Sequence, residues 1–406
     1  MHLRRKQAIL LFIFLHLVLN WAAVAAAETN RARDLGISFD GQPGSLNAIT
    51  DVAGVEVGHV TLISGEGALV VGSGPVRTGV TAIHPRGKDS TDPVFAGWFT
   101  LNASGEMTGT TWLEERGLVD GPIAITNTHS VGVVRDAAVA WMVGHGWPAD
   151  WHAPVVAETY DGGLNDINGF HVTREHAIEA MQNAATGPVE EGVVGGGTGM
   201  VCNGFKGGIG TSSRTFVASG NRFTVGVLVQ CNYNWAGVGL RLGGKAVSDL
   251  LPVGRHCFTD RTVQRHVNWY PYCDESSDDA LAPATRDGSI IIVVATDAPL
   301  LPHQLRRLAK RPSLGLGRLG SISSDGSGDI FIAFSTANRG LINENQPGEV
   351  MMYPNNGLSD VFTATVQATE EAIVNAMVAA ETVIGAAGLQ VEAISEEQLR
   401  AIFQNE

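Results

Sequence analysis

The run Ser289–Ala295, Ser-Ile-Ile-Ile-Val-Val-Ala, constrains this chain more than any other stretch. Six consecutive apolar residues leave no polar face for water, so a strand built from them must be covered on both sides. Other short β-branched runs recur at Val55–Ile63, Gly121–Thr126, Pro154–Glu158, Phe223–Cys231 and Asp329–Ser335. Helical spacing of apolar residues appears at Asp136–Val143, His176–Ala185, His303–Ala309, Asp360–Ile384 and Ser395–Phe403. The last of these opens with Ser395 and Gln398 in capping-box spacing. Strands and helices interleave to the end without a Pro/Ser-rich linker, which predicts one domain of layered α/β structure. Residues 236–287 are the exception. They are irregular, acidic towards their end (Asp274, Glu275, Asp278, Asp279), and read as a long surface insertion.

At 44% hydrophobic and 17% charged residues over 406 positions, the chain can bury a sizeable core and is not disordered. Residues 1–27 carry Arg4, Arg5 and Lys6, then a mostly apolar run from Ala8 to Leu19, then Ala25-Ala26-Ala27. This is the pattern of a cleaved export signal, too short in its apolar part to span a bilayer comfortably. The expected mature protein is periplasmic or secreted, with no membrane span. The net charge is −14; without the signal, 24 basic residues face 41 acidic ones and the balance is −17. Such a surface repels phosphate backbones, so nucleic acid is excluded as a partner.

In an oxidising compartment four cysteines pose a question of disulfides. Cys257 and Cys273 flank a short stretch rich in Arg, His, Tyr and Trp, and a bridge between them would stabilise by ~3 kcal/mol in the chain-entropy model. Cys202 and Cys231 sit in apolar or Gly-rich surroundings and read as simply buried. His256 and His266 lie nearby, but neither CxxC nor HxxxH spacing supports a metal there. Nothing in the sequence points to a cofactor.

Standard catalytic motifs are absent. Gly315-Leu-Gly317-Arg-Leu-Gly320 matches GxGxxG but follows a basic helical segment rather than a strand, so the dinucleotide reading fails. Gly243-Gly244-Lys245 lacks phosphate-loop spacing, and neither HExxH nor GxSxG occurs. What remains is Asp287-Gly288-Ser289 leading straight into the apolar run. Alone, a serine there is ordinarily a turn residue.

The surrounding stretches change that reading. "DGSIIIVVATDAPLLPHQLRRLAKR", "AETYDGGLND", "GGGTGMVCNGFKGGIGTSSR", "VLVQCNYN", "GSGDIFIAFSTANR" and the opening "RARDLGISFDGQPGSLNAITDVAGVEVGHVTL" together resemble the autoprocessing L-aminopeptidase/D-esterase and β-peptidyl aminopeptidase family of serine peptidases. The resemblance spans nearly all of the chain after the signal, except 236–287. It implies a four-layer α/β/β/α sandwich related to N-terminal-nucleophile hydrolases. It also implies a precursor cut between Gly288 and Ser289 into an α chain (28–288) and a β chain (289–406), which stay associated in a homo-oligomer of heterodimers.

The resemblance also assigns roles. Ser289 is the nucleophile, Tyr160 lies at the active site, Glu158 faces the substrate's free amine, and Asn232 contributes to the oxyanion hole. Ser327 and Asp329 complete the machinery. At least one member carries glutamate at the acidic position, one methylene longer than Asp329, so the reach of Asp329 to Ser327 is the point at issue.

The chemistry of the residues agrees. Strand period puts Glu158 and Tyr160 on one face, and likewise Ser327 and Asp329 if that segment is extended. A carboxylate beside the reacting centre selects an ammonium, and a side-chain amide can donate to a developing oxyanion. Taken singly, each residue also has a mundane reading as surface ion pair, core rim, turn or loop.

The function expected is an exported serine aminopeptidase. It would act on small peptides, amides or esters with a free amino end, with D- or β-configured residues tolerated. The alternatives are a non-catalytic binding protein on the same fold, or an acyltransferase relative, which would carry threonine where Ser289 stands. The aromatic residues of the insertion (Phe258, Trp269, Tyr270, Tyr272) are expected at a subunit contact, at the active-site mouth or packed on their own domain.

Overall fold

The run at Ser289 becomes the strand Ser289–Thr296, whose residues are all buried. In a computed structural model that describes residues 30–251, 256–267, 270–275, 287–340 and 346–404, this strand lies inside a six-stranded sheet. The expected export signal falls outside the described residues. Ten strands carry the architecture: β1 (Glu56–Ser64), β2 (Val76–His84), β3 (Val94–Thr100), β4 (Leu118–Val119), β5 (Ile123–Asn127), β6 (Val155–Thr159), β7 (Gly208–Ala218), β8 (Asn221–Asn232), β9 (Ser289–Thr296) and β10 (Gly328–Ser335). One sheet runs β1-β2-β5-β6 and the other β4-β3-β10-β9-β8-β7. In the second sheet β9 pairs antiparallel with β8 and parallel with β10.

The seven principal helices are α1 (Thr110–Arg116), α2 (Val131–Gly144), α3 (Arg174–Gln182), α4 (Pro302–Leu308), α5 (Pro312–Arg318), α6 (Leu358–Val378) and α7 (Glu396–Phe403). Alternation along β9 explains the layering. Ile290, Ile292 and Val294 pack with Leu305 and Leu308 of α4 and Ile373 of α6. Ile291, Val293 and Ala295 meet Ile83, Ile125 and Ala157 of the other sheet. The outer face of that sheet, through Val80, Ala82 and Ala124, covers Val134 and Ala138 of α2 and Ala177 of α3. Helices, sheet, sheet and helices therefore stack as four layers, as expected from the resemblance.

Three expected features differ. Helix α2 begins five residues early, because the Asn127 side chain accepts from Ser130 N–H and starts a 3-10 turn that feeds the helix. The Val-rich opening Val131-Gly-Val-Val134 disguised this start, since β-branched residues favour strands. Helix α6 ends at Val378 rather than Ile384, because Val383 and Ile384 instead form a strand pair with Leu389–Val391. Cys202 and Cys231 are buried, but bonded to one another rather than free. Residues 29 apart meet there only because the turn after 195–200 brings Cys202 against the end of β8.

Cys257 and Cys273 are bridged as the spacing suggested. Residues 236–287 hold less surface than the insertion reading implied. Phe258 and Tyr270 are buried with Leu164, Trp235 and Leu389, whereas Trp269, Asp278 and Asp279 lie outside the described residues. Among the described residues no helix is long and apolar enough to cross a membrane.

Candidate active site

The ends of β8, β9 and β10 set the site. Register places Ser289 opposite Asn232 on one side and Gly328 on the other. Ser289 is buried, and its Oγ lies so close to Gly328 that a Cβ there would stand 2.8 Å from it and 2.5 Å from Ser104 O. Only glycine fits. Gly288, just before Ser289, has φ +140°, and a Cβ there would lie 2.2 Å from Asn232 O. Both the conformation and the space require glycine.

The Gly328 amide donates to the Gly288 carbonyl oxygen at 2.9 Å. This is the carbonyl of the bond preceding Ser289, so a donor already points at the oxygen on which charge would develop if Ser289 attacked it. Sequence reasoning missed this group, because a backbone amide leaves no mark on residue identity.

Asn232, fully buried, is held at both ends of its carboxamide. Val201 N–H donates to its Oδ1 at 2.8 Å, and its Nδ2 donates to Tyr160 O at 2.9 Å. One Nδ2 proton is thereby used and the second remains for a ligand. The turn carrying Val201 is tied down by Lys206, whose buried Nζ donates to Met200 O at 2.8 Å and Gly207 O at 2.7 Å, with Gly197 O at 3.3 Å. A lysine so enclosed was not singled out from sequence; its apolar and glycine flanks were the available signal.

Ser327 Oγ donates to Asp329 Oδ1 at 2.7 Å, with both residues buried, so the shorter acid does reach the serine. Burial pushes the Asp329 carboxyl above the usual range, partly offset by the hydroxyls of Ser327 and Ser323. Ser327 precedes β10 directly, so its position is fixed by the same strand that supports Ser289.

Glu158 is buried at the end of β6. It accepts from Glu106 N–H at 2.9 Å and from Thr128 Oγ1 at 2.5 Å. Burial raises its carboxyl, while these donors pull it back. Gly105 bridges the two halves of the site, since a Cβ there would lie 3.0 Å from Glu158 Oε1 and 3.5 Å from Gly328 Cα. The shared-face expectation for Glu158 and Tyr160 needs refinement. The strand stops at Thr159, and Tyr160 stands beyond it, exposed, with its ring stacked on Trp235 at 6.3 Å.

Asp161, also missed, is wholly buried and accepts from Asn127 and Asn165 Nδ2 at 3.0 and 3.1 Å. Burial raises it to about 6. Among the described residues no cluster of three or more His, Cys, Asp or Glu could hold a metal.

This geometry has close counterparts. The model for peptidase family S58 matches residues 47–391. Beta-peptidyl aminopeptidase BapA of Sphingosinicella microcystinivorans is 57% identical over 389 residues, covering 94% of both chains. The solved L-aminopeptidase D-Ala-esterase/amidase of Ochrobactrum anthropi, a serine aminopeptidase with a variant of the Ntn hydrolase fold, superposes with a TM-score of 0.80. It is 45% identical, and the match covers 92% of this chain and 98% of that one. A Burkholderia sp. beta-aminopeptidase gives a TM-score of 0.78 at 46% identity, covering 93% and 99% of the two chains. The chain thus belongs to peptidase family S58, an aminopeptidase family on the Ntn hydrolase fold.

Proposed function

We propose that this protein is an exported aminopeptidase that cuts itself between Gly288 and Ser289 and then uses Ser289 as its nucleophile. The observation that carries the reading is the Gly328 amide aimed at the Gly288 carbonyl beside a buried serine. In self-cleavage the Ser289 hydroxyl attacks that carbonyl, the peptide bond opens to an ester, and water releases the β chain with a free α-amine on Ser289. This amine, with a reference pKa of about 7.7–8.0, is partly neutral at mild pH and can take the hydroxyl proton in later turnover. Ser327 and Asp329 relay protons at the same position.

The substrate's ammonium pairs with Glu158, its carbonyl carbon is attacked by Ser289, and its oxyanion takes the second Nδ2 proton of Asn232. The names of the relatives favour small peptides, amides or esters, with β- and D-configured residues among the amino ends accepted. Export to the periplasm or beyond rests on residues 1–27, and association into an oligomer of α/β heterodimers on the family resemblance.

Denaturing mass spectrometry of the purified protein tests the reading. Wild type should yield a 118-residue fragment running from Ser289 to Glu406. Ser289→Ala should remain one chain and release no amine from alanine p-nitroanilide. An uncut wild type that still turns over this substrate overturns the mechanism.

A further inference from the structure

We propose that the Cys257–Cys273 segment is a positioning brace for the Asn232 carboxamide, acting through His266 and Trp235. The inference rests on the reading of Asn232 as oxyanion donor and adds residues outside the resembling motifs.

The disulfide joins two short stretches that also hold each other by backbone bonds, Phe258 N–H to Pro271 O at 2.9 Å and Cys273 N–H to Phe258 O at 3.1 Å. Phe258 pairs across with Leu389 and so ties the segment to the domain. Arg261 and Arg265 lie over the Tyr272 ring at 4.5 and 4.9 Å and close its outer side. The segment is thus anchored on its own account before it meets the site.

Two contacts then reach inward. His266 Nε2 lies 3.1 Å from Gly163 O, in the turn that follows Tyr160, so this nitrogen must carry the proton. Phe258 meets His266 edge-on at 5.8 Å and fixes the ring. The second contact is the buried group of Phe258, Tyr270 and Trp235. Trp235 stacks on the Tyr160 ring and donates from Nε1 to Asn232 O at 3.3 Å.

Both routes end at one place. Tyr160 O is the acceptor that orients Asn232 Nδ2, so the Tyr160 backbone and the Asn232 carboxamide move together. Tyr160 is itself exposed and lies past the end of β6, where no strand ladder holds it. The buried Asp161 holds it on one side, and without the brace its carbonyl would be less tightly fixed. An oxyanion donor works in the transition state, so loss of its alignment lowers kcat and leaves KM nearly unchanged.

The test compares wild type, Cys257→Ser/Cys273→Ser, His266→Gln and His266→Phe. The Cys202–Cys231 bond is left intact in all four. Glutamine keeps a donor near the position of Nε2, whereas phenylalanine keeps the ring and removes the donor. The expected result is a kcat on alanine p-nitroanilide about tenfold lower in His266→Phe and in the double serine variant, a fraction of the roughly 100- to 1,000-fold cost of losing one oxyanion donor. His266→Gln should stay within about twofold of wild type, and KM should hold throughout. Amide hydrogen exchange of the peptide spanning 160–165 should quicken in the two impaired variants only. Unchanged exchange and unchanged kcat overturn the brace, as does a rise in KM at constant kcat, which would mark a simple binding wall. A wild type without turnover counts against the aminopeptidase reading, and the exchange comparison then decides the brace by itself.

Discussion

The amide of Gly328 and the carbonyl of Gly288, 40 residues apart in sequence, are joined by a 2.9 Å hydrogen bond at the first rung of the β9–β10 pair. On the proposed mechanism one residue serves Ser289 twice, by donating to the carbonyl that its hydroxyl would attack and by leaving room for its oxygen. Gly328→Ala tests both roles. The added Cβ would stand 2.5 Å from Ser104 O and 2.8 Å from Ser289 Oγ, so either the loop or the serine must move. Self-cleavage should slow by roughly 100-fold or more, the cost of an oxyanion donor lost or misaligned. Time-resolved denaturing electrophoresis of the freshly expressed variant measures it; cleavage at the wild-type rate would remove Gly328 from the mechanism.

A second prediction concerns the pair Ser327–Asp329. Burial holds the Asp329 carboxyl above its usual range, so on acidification it takes up a proton earlier than an exposed aspartate. If the ionised form accepts from Ser327, kcat should fall as pH drops through that raised value. Asp329→Asn removes the titrating group, so it should flatten this acidic limb and lower kcat by roughly 100-fold, within the range of general acid–base contributions. A pH–rate profile of the variant that keeps the limb would assign it to another residue.

Acid should also weaken the fold through its buried histidines. Burial lowers His84 and His256 to about 4, against an unfolded value near 6.5. Between those limits the unfolded chain binds protons that the folded chain refuses. Stability from each is therefore complete above about 6.5 and is lost as pH falls towards 4, at about 1.4 kcal/mol per pH unit and residue at most. Asp161, raised to about 6, works in the opposite sense between about 4 and 6, because its folded form holds the proton more tightly. His59, also lowered to about 4, joins the histidine side, and the raised carboxyls of Glu158 and Asp329 join Asp161, so the histidine contribution is isolated by substitution. The loss of urea midpoint from pH 7 to pH 4.5 should be smaller in His84→Gln than in wild type; an equal loss in both would show the His84 ring accessible to solvent.

What the sequence makes legible follows from how local the cause is. The β9 run is plain because burial on both faces forbids any polar residue within it. Ser289, Ser327 and Asp329 stand at strand starts, where their motifs lie contiguous in the chain. The start of α2 is hidden because valines at 131, 133 and 134 suit a strand as well as a helix, and the deciding cap is the side chain of Asn127. Lys206 is hidden because lysine is ordinarily a surface residue, and its three carbonyl acceptors gather only when the 195–200 turn folds over it. The partners of Glu158, Thr128 and the Glu106 amide, come from 30 and 52 residues away. No spacing rule reaches them.

Glu158 supports the last prediction. Its carboxylate is buried, holds two protein donors and faces the Gly105 turn that borders Gly328, and on the proposed mechanism it meets the substrate ammonium. Glu158→Gln keeps the size and removes the charge. A charge-assisted hydrogen bond contributes about 1.5–3 kcal/mol, so kcat/KM for alanine p-nitroanilide should drop roughly 10- to 100-fold, chiefly through KM. The pH dependence separates charge from shape. Burial raises the Glu158 carboxyl, so in wild type KM should climb as acid neutralises it, while the ammonium stays charged throughout that range. In Glu158→Gln the acidic rise in KM should vanish and KM should sit at its high plateau. An N-acetylated substrate, which has no ammonium, should be poor for wild type and variant alike. If acetylation leaves wild-type turnover intact, Glu158 is not the group that recognises the free amino end.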